Sequence, residues 1–270
     1  MSYSQEWLRG EGPQAHPHEG IRLQGSGLTG WVAIGELLPP DRSQTFQVKP
    51  ALTETETDNN ANKAMIRAVD NDGETVWTTL LGEKKYSVGF SIIEGDGLLF
   101  AGVGLWQGNQ MVAGVVALEP ATGEVVWTTM LGQGQSGNGG VRSCILDQTE
   151  LVCAGYLGNA EPGFQFVADE GTPAVWRLDS QGNLLAENML EVEGMGQVAK
   201  VRKDASSGFV LCSTAWSYIE GEDINAVAVV KISDSLELEW SQMYGVKGGN
   251  WGLRVYKGCF SIPIIWGFIE

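Results

Sequence analysis

The chain has 270 residues, 43% of them hydrophobic, and its ten Trp, eight Phe and six Tyr supply enough apolar surface to exclude wholesale disorder. Seventeen Lys and Arg against 33 Asp and Glu give a net charge of −16, which repels phosphate backbones and anionic headgroups and so argues against nucleic acid or an acidic membrane surface as partner. The same field favours a basic protein or peptide, although surface acid also serves solubility.

In chain order, the N-terminus Met1-Ser-Tyr-Ser-Gln-Glu-Trp has no basic segment followed by an apolar one, so export is not expected and the reading leans to the cytoplasm. No run approaches the roughly 18 apolar residues of a membrane helix. The segment from Gln5 to Gly10 reads as an isolated strand, and Gly20-Ile-Arg-Leu followed by Gly30-Trp-Val-Ala-Ile-Gly as a strand pair. Residues 37–60, with Pro39-Pro-Asp-Arg-Ser and Thr53-Glu-Thr-Glu-Thr-Asp-Asn-Asn, are polar and poor in core formers, the composition of a flexible insertion.

A repeat then begins. Ala68-Val-Asp-Asn-Asp-Gly-Glu-Thr-Val-Trp-Thr-Thr-Leu-Leu-Gly returns almost verbatim as Ala117-Leu-Glu-Pro-Ala-Thr-Gly-Glu-Val-Val-Trp-Thr-Thr-Met-Leu-Gly, placing Trp77 and Trp127 50 residues apart. A third copy from Trp176 keeps the turn but has Ala186 at the Trp position, and a fourth from Val230 restores the Trp at Trp240. Each copy is a hairpin: alternating apolar residues, an acid that usually opens the turn, a Gly that usually closes it, and a second strand. A further pair of short strands follows each hairpin, beginning near Val88, Val141 and Val198, and a last pair begins near Trp251.

Four strands per unit of about 50 to 60 residues is the arithmetic of a propeller blade, so the expected fold is an all-β propeller of about five four-stranded blades in one domain. The isolated strand at Gln5–Gly10 is expected to complete the last blade and close the ring, and a piece of a larger ring is the competing reading. The hairpin Ala117-Leu-Glu-Pro-Ala-Thr-Gly-Glu-Val-Val-Trp resembles the repeat of the pyrroloquinoline-quinone-type (PQQ-like) propellers, and Gly248-Gly-Asn-Trp-Gly and Gly30-Trp-Val-Ala-Ile-Gly resemble their DGG-type bacterial relatives. The resemblance implies a fold and no activity, because the family's acid, Asn and calcium-ligating motifs cannot be placed here. Trp77, Trp127 and Trp240 are expected to pack between neighbouring sheets.

Naming the strands of a blade A to D from the axis outward, the B–C and D–A connections share one face, and long B–C loops are expected at 37–62, 105–110, 157–171 and 215–224. In these stretches, or for Tyr156 just before the third, lie the candidate ligand-binding residues Trp106, Tyr156, Trp216, Tyr218, Glu220, Glu222 and Asp223. Aromatics among carboxylates suit stacking, cation–π contact and charge-assisted hydrogen bonds. The expected function is a monomeric, non-enzymatic scaffold that binds a protein or peptide on this face. A carbohydrate-binding or carbohydrate-active protein using the same aromatics and acids is the alternative.

Other motifs carry less. Gly132-Gln-Gly-Gln-Ser-Gly matches a dinucleotide-binding string but is followed by a strand pattern where that mechanism needs a helix. Asp70-Asn-Asp-Gly lacks the later bidentate acid of a calcium loop and reads as a turn. The only histidines, His16 and His18, share one tripeptide, so no Ser-His-acid set can be assembled and no metal or cofactor is expected. Cys144, Cys153, Cys212 and Cys259 are expected as buried free thiols, with pairing of Cys144 and Cys153 geometrically conceivable.

Overall fold

The computed structural model describes residues 15–23, 29–37, 63–82, 86–160, 171–219, 222–245, 254–256 and 264–266. Alternating apolar and polar residues separated by acid- and Gly-containing turns give antiparallel strands that pair in chain order within each sheet. Blade 1 comprises β1 (Ala15–Arg22), β2 (Gly30–Leu37), β3 (Lys63–Asp70) and β4 (Thr75–Leu81). Blade 2 comprises β5 (Val88–Gly95), β6 (Leu98–Gln107), β7 (Gln110–Leu118) and β8 (Val125–Met130). Blade 3 comprises β9 (Asn138–Asp147), β10 (Glu150–Asn159), β11 (Thr172–Leu178) and β12 (Leu184–Met189). Blade 4 comprises β13 (Lys200–Lys203), β14 (Phe209–Ile219), β15 (Glu222–Ile232) and β16 (Leu238–Gly245). A pair, β17 (Arg254–Tyr256) and β18 (Ile264–Trp266), follows.

The fold is therefore an all-β propeller, with four complete blades and a further strand pair among the described residues. The strand expected to close the ring, at residues 5–10, lies outside the described residues, as does the insertion expected at 37–60 apart from Leu37, the last residue of β2. The blades repeat in detail: each C–D pairing shifts register beside its turn, at Ala68/Val69, Ala117/Leu118, Arg177/Leu178 and Lys231/Ile232.

Inner strands face one another around the axis. The Ile92 amide of β5 donates to a carboxylate oxygen of Glu19 on β1 at 3.1 Å, and the Val201 amide of β13 donates to the Ser143 hydroxyl of β9 at 3.3 Å. Apolar side chains of adjoining blades fill the space between sheets. One cluster joins Ile34, Ile66 and Trp77 of blade 1 to Ile92, Val103 and Leu118 of blade 2, and another joins Phe100 and Val115 to Cys153 and Trp176. Burial of this kind contributes about 25 cal/mol per Å² of apolar surface.

The repeated tryptophans make the outer joints. Trp77 of β4 lies against the turn of blade 2, its indole Nε1 donating to the Pro120 carbonyl at 3.0 Å while the Thr79 hydroxyl donates to the Gly123 carbonyl at 2.6 Å. Trp127 of β8 repeats the joint on blade 3, donating to the Ser180 carbonyl at 3.1 Å, with Thr129 donating to Gly182 at 2.6 Å. The turn glycine is required twice over at Gly123, because φ is +72° and a Cβ would stand 2.4 Å from the Trp77 ring.

Two expectations are corrected here. Trp240 is 48% exposed and does not pack between sheets as Trp77 does; no described turn lies beneath it. Cys144 and Cys153 are disulfide-bonded rather than free, because the β9–β10 register sets them directly opposite each other with Cα atoms 4.1 Å apart. Cys212 is a buried free thiol, and desolvation pushes its pKa up to about 11. Cys259 lies outside the described residues.

Candidate functional site

The loops that sequence reading placed at 105–110 and 215–224 are not loops. β6 and β7 pair as far as Gln107 with Gln110, a long hairpin with a two-residue turn, and β14 and β15 pair as far as Ile219 with Glu222. Their physical cause is continued antiparallel pairing, which satisfies backbone groups that a loop would leave to water. Of the stretch 157–171, residues 161–170 lie outside the described residues.

Trp106 is consequently a strand residue of β6, half-buried, with its amide donating to the Ser87 hydroxyl at 3.1 Å and its ring 5.9 Å from that of Tyr86. Tyr156 lies on β10 and is fully buried. These two predicted residues come together, because Trp106 packs on a cluster of Val88, Phe90, Met111 and Tyr156. Trp216 and Tyr218 lie on β14, and Glu222 and Asp223 on β15, where Tyr218 pairs with Asp223 and Trp216 with Asn225 in blade 4. Glu220 lies outside the described residues.

Around Phe90 the inner strands of three blades converge at the B–C end of the ring. The Phe90 ring meets Tyr156 edge-on with centroids 6.3 Å apart, and His18 stacks on Phe90 at 6.2 Å. Small residues allow the approach: a Cβ on Gly140 would stand 2.6 Å from the Phe90 ring and 3.1 Å from that of Tyr156. The Arg142 guanidinium sits 5.4 Å over the Phe90 ring centroid, a cation–π geometry, and donates to the side-chain oxygen of Gln197.

His18 Nδ1 is 2.7 Å from the Gly89 carbonyl and must carry the proton of that hydrogen bond, which turns Nε2 toward the buried Glu36 carboxylate at 4.0 Å. Desolvation lowers Arg142 from 12.5 to about 10, and neighbouring Tyr156 opposes that shift. Burial raises the Tyr156 phenol, with Arg142 opposing. At neutral pH the pair is thus a fixed cation beside a neutral phenol.

Sequence reasoning missed Phe90 and Gln197, and with them Asn138, Glu19 and Arg142. Asn138 ties the blade ends together, its side-chain oxygen accepting from the Met111 amide at 2.8 Å and its NH₂ donating to the carbonyls of Asn159 at 3.1 Å and Ala160 at 2.9 Å. Glu19 accepts from Lys200 of blade 4 at 2.9 Å as well as from Ile92, so one carboxylate links three blades across the axis. Arg142, within Val141-Arg-Ser-Cys-Ile-Leu, stands in a strand pattern, and only its charge in an otherwise uncharged run could have marked it. The GxGxxG string ends where β9 begins, as its strand pattern implied. Asp70 is a turn residue, accepting from the amides of Asp72 and Glu74 at 2.9 Å each. No helix among the described residues is long and apolar enough to cross a membrane.

No family model matches the chain. No curated protein matches it either. Among solved structures it is similar to the quinohemoprotein alcohol dehydrogenase from Comamonas testosteroni, at 13% identity and a TM-score of 0.42, over 67% of this chain and 33% of that one. The chain thus spans about a third of the length of the structure it matches.

Proposed function

We propose that this propeller is a non-enzymatic scaffold that binds a protein or peptide on the face where the B–C hairpins and the inner-strand ends meet. The observation that carries this reading is the Arg142–Phe90–Tyr156 group at the axis, with Trp106 on its rim. A general acid or base works best with a pKa near the operating pH. Arg142 at about 10 and a phenol pushed upward each keep one protonation state at neutrality, which suits recognition better than proton transfer. A rim Trp and a desolvated Arg are the side chains most enriched at binding hot spots. The net charge of −16 adds a long-range field that speeds encounter with a basic partner.

The test is selection of peptides from a random library on the immobilised full chain, followed by calorimetry of a selected peptide against Trp106→Ala and Arg142→Met. Both substitutions are expected to weaken binding by about tenfold or more, with near-ultraviolet circular dichroism confirming that the variants remain folded. Peptides that bind both variants as well as the original chain would overturn the reading.

A further inference from the structure

Tyr86 stands in a backbone conformation that its side chain disfavours. Its φ is +50°, in the left-handed region that bulky aromatic residues rarely occupy. Strain of this kind persists only where the surrounding structure holds it, and it concentrates at binding and catalytic sites. What holds Tyr86 is its neighbour. Ser87 is fully buried, and its hydroxyl accepts from the Trp106 amide at 3.1 Å, tying the start of blade 2 to the end of β6. The chain leaving β4 passes so close that a Cβ on Gly82 would collide with the Ser87 side chain.

The result is an aromatic pair at the B–C end of blade 2. Tyr86 and Trp106 have ring centroids 5.9 Å apart and planes inclined at 57°, and both are half-buried, so each keeps accessible surface. Beside them the β6–β7 turn exposes Gln107 and Asn109. Gln110 is anchored, its Nε2 donating to the Gln135 carbonyl at 3.2 Å, and Gln133, Gln135 and Ser136 are exposed. Residues 86–87, 107–110 and 132–137 carry no charge, although the net charge of the chain is −16. Two inclined rings make a wedge rather than a flat platform. A wedge of Tyr and Trp suits a compact pyrrolidine ring, and neutral amides suit carbonyls that have no partner of their own. The polyproline II helix offers both: it has no internal hydrogen bonds, and it loses little entropy when it docks on an aromatic-lined groove.

We propose that Tyr86 and Trp106 receive a proline-rich segment in the polyproline II conformation, with the side-chain amides of Gln107 and Asn109 donating to its carbonyls. The proposal rests on the reading of this face as a peptide-binding one and names the class of peptide. It also gives the strain at Tyr86 a purpose, since the left-handed backbone is what brings this ring beside Trp106.

The probe is decaproline, blocked at both ends, titrated into the full chain by calorimetry beside a blocked Gly-Ser decapeptide. One-to-one binding of decaproline alone is expected, weakened about tenfold or more by Trp106→Ala and by Tyr86→Asn, because Asn accepts the left-handed backbone without the ring. Tyr86→Phe keeps the ring and should bind as the original chain does. Thermal melts separate binding from packing: with the backbone strain relieved, Tyr86→Asn should melt no lower than the original chain. A lowered midpoint would show that the ring is held there for packing and would overturn the proposal. So would absence of decaproline binding, equal binding of the Gly-Ser peptide, unchanged affinity in Trp106→Ala or Tyr86→Asn, or failure of Tyr86→Phe to bind. Maltohexaose binding that depends on both rings, with none by decaproline, would overturn it in favour of a sugar. If decaproline fails while library peptides without proline still depend on Trp106 and Arg142, this inference falls and the peptide-binding face stands; if neither binds, both fall.

Discussion

Leu236 occupies in blade 4 the place that a tryptophan ring occupies in the earlier joints, and Ala186 of blade 3 leaves it room. Leu236 is fully buried although its φ is +68°, a conformation that L residues avoid. The hydrogen bonds of the earlier joints have been reassigned as well: Arg177 donates to the Asp234 carbonyl at 2.6 Å in place of the indole, and Asn188 to the Leu236 carbonyl at 3.0 Å in place of the threonine. Space filling and carbonyl satisfaction are thus conserved across three joints while the side chains that provide them change.

This exchange predicts a coupled pair. Ala186→Trp alone overpacks the joint and costs about 1–3 kcal/mol. Leu236→Gly alone opens a cavity and costs about 2–4 kcal/mol, reduced somewhat by relief of the backbone strain. Together they rebuild the Trp–Gly joint, so the double variant should be more stable than the sum of the singles by about 1–3 kcal/mol, read from urea unfolding in a double-mutant cycle. Simple additivity would show that the two residues do not share one site.

Turn glycines of identical backbone type should differ in cost. Gly123→Ala must displace the Trp77 ring and also strain its backbone, whereas Gly73→Ala meets only open space. The second should cost about 1 kcal/mol and the first at least twice that, as thermal melts of the two variants would show. Equal losses would mean that the indole yields freely.

Thiol titration separates the cysteines. With Cys144 and Cys153 bonded, unfolding without reductant should expose at most two thiols from the four cysteines, Cys212 among them, and Cys212 should react slowly in the folded chain because burial raises its pKa to about 11. Four reactive thiols after unfolding would contradict the pairing. Reduction should lower stability by about 2 kcal/mol, the constraint expected of a short closed loop.

Acid sensitivity should trace in part to Asp204. Its carboxylate accepts from Lys231 Nζ at 2.6 Å and from the Ser206 hydroxyl at 2.8 Å, and these bonds hold its pKa down from 3.8 to about 2. A folded-state pKa below the unfolded one adds stability that is present above about pH 4 and lost as pH falls toward 2. After discounting for partial solvent exposure, the contribution is on the order of 1 kcal/mol. Asp204→Asn also leaves the buried Lys231 ammonium without its anion. The stability gap between the original chain and Asp204→Asn should therefore be full at pH 6 and shrink between pH 4 and 2. A gap independent of pH would remove the ion pair as its cause.

What the sequence determined by itself was local. Strand alternation, the Asp70 and Asp179 turns and the recurrence of Trp77 as Trp127 follow from residues within a few positions of one another, so four blades and their order were legible before any coordinates. Tertiary structure decided what joins distant parts of the chain. Glu19 meets Lys200 across 181 residues, Arg142 meets Gln197 across 55, and Trp77 reaches the Pro120 carbonyl across 43. Tyr156 was picked out as a loop aromatic and proved to be a buried strand residue, because the hydrophobic pattern of β10 does not say which neighbour covers it. Trp106 was picked out for the same reason, and only the convergence of three inner strands set it beside Phe90. The stretches 105–110 and 215–224, expected as loops, continue their strands, since backbone pairing extends wherever two strands can satisfy each other's N–H and C=O groups, whatever the polarity of their side chains. Periodicity fixes which face of a strand is covered; packing between blades fixes by what.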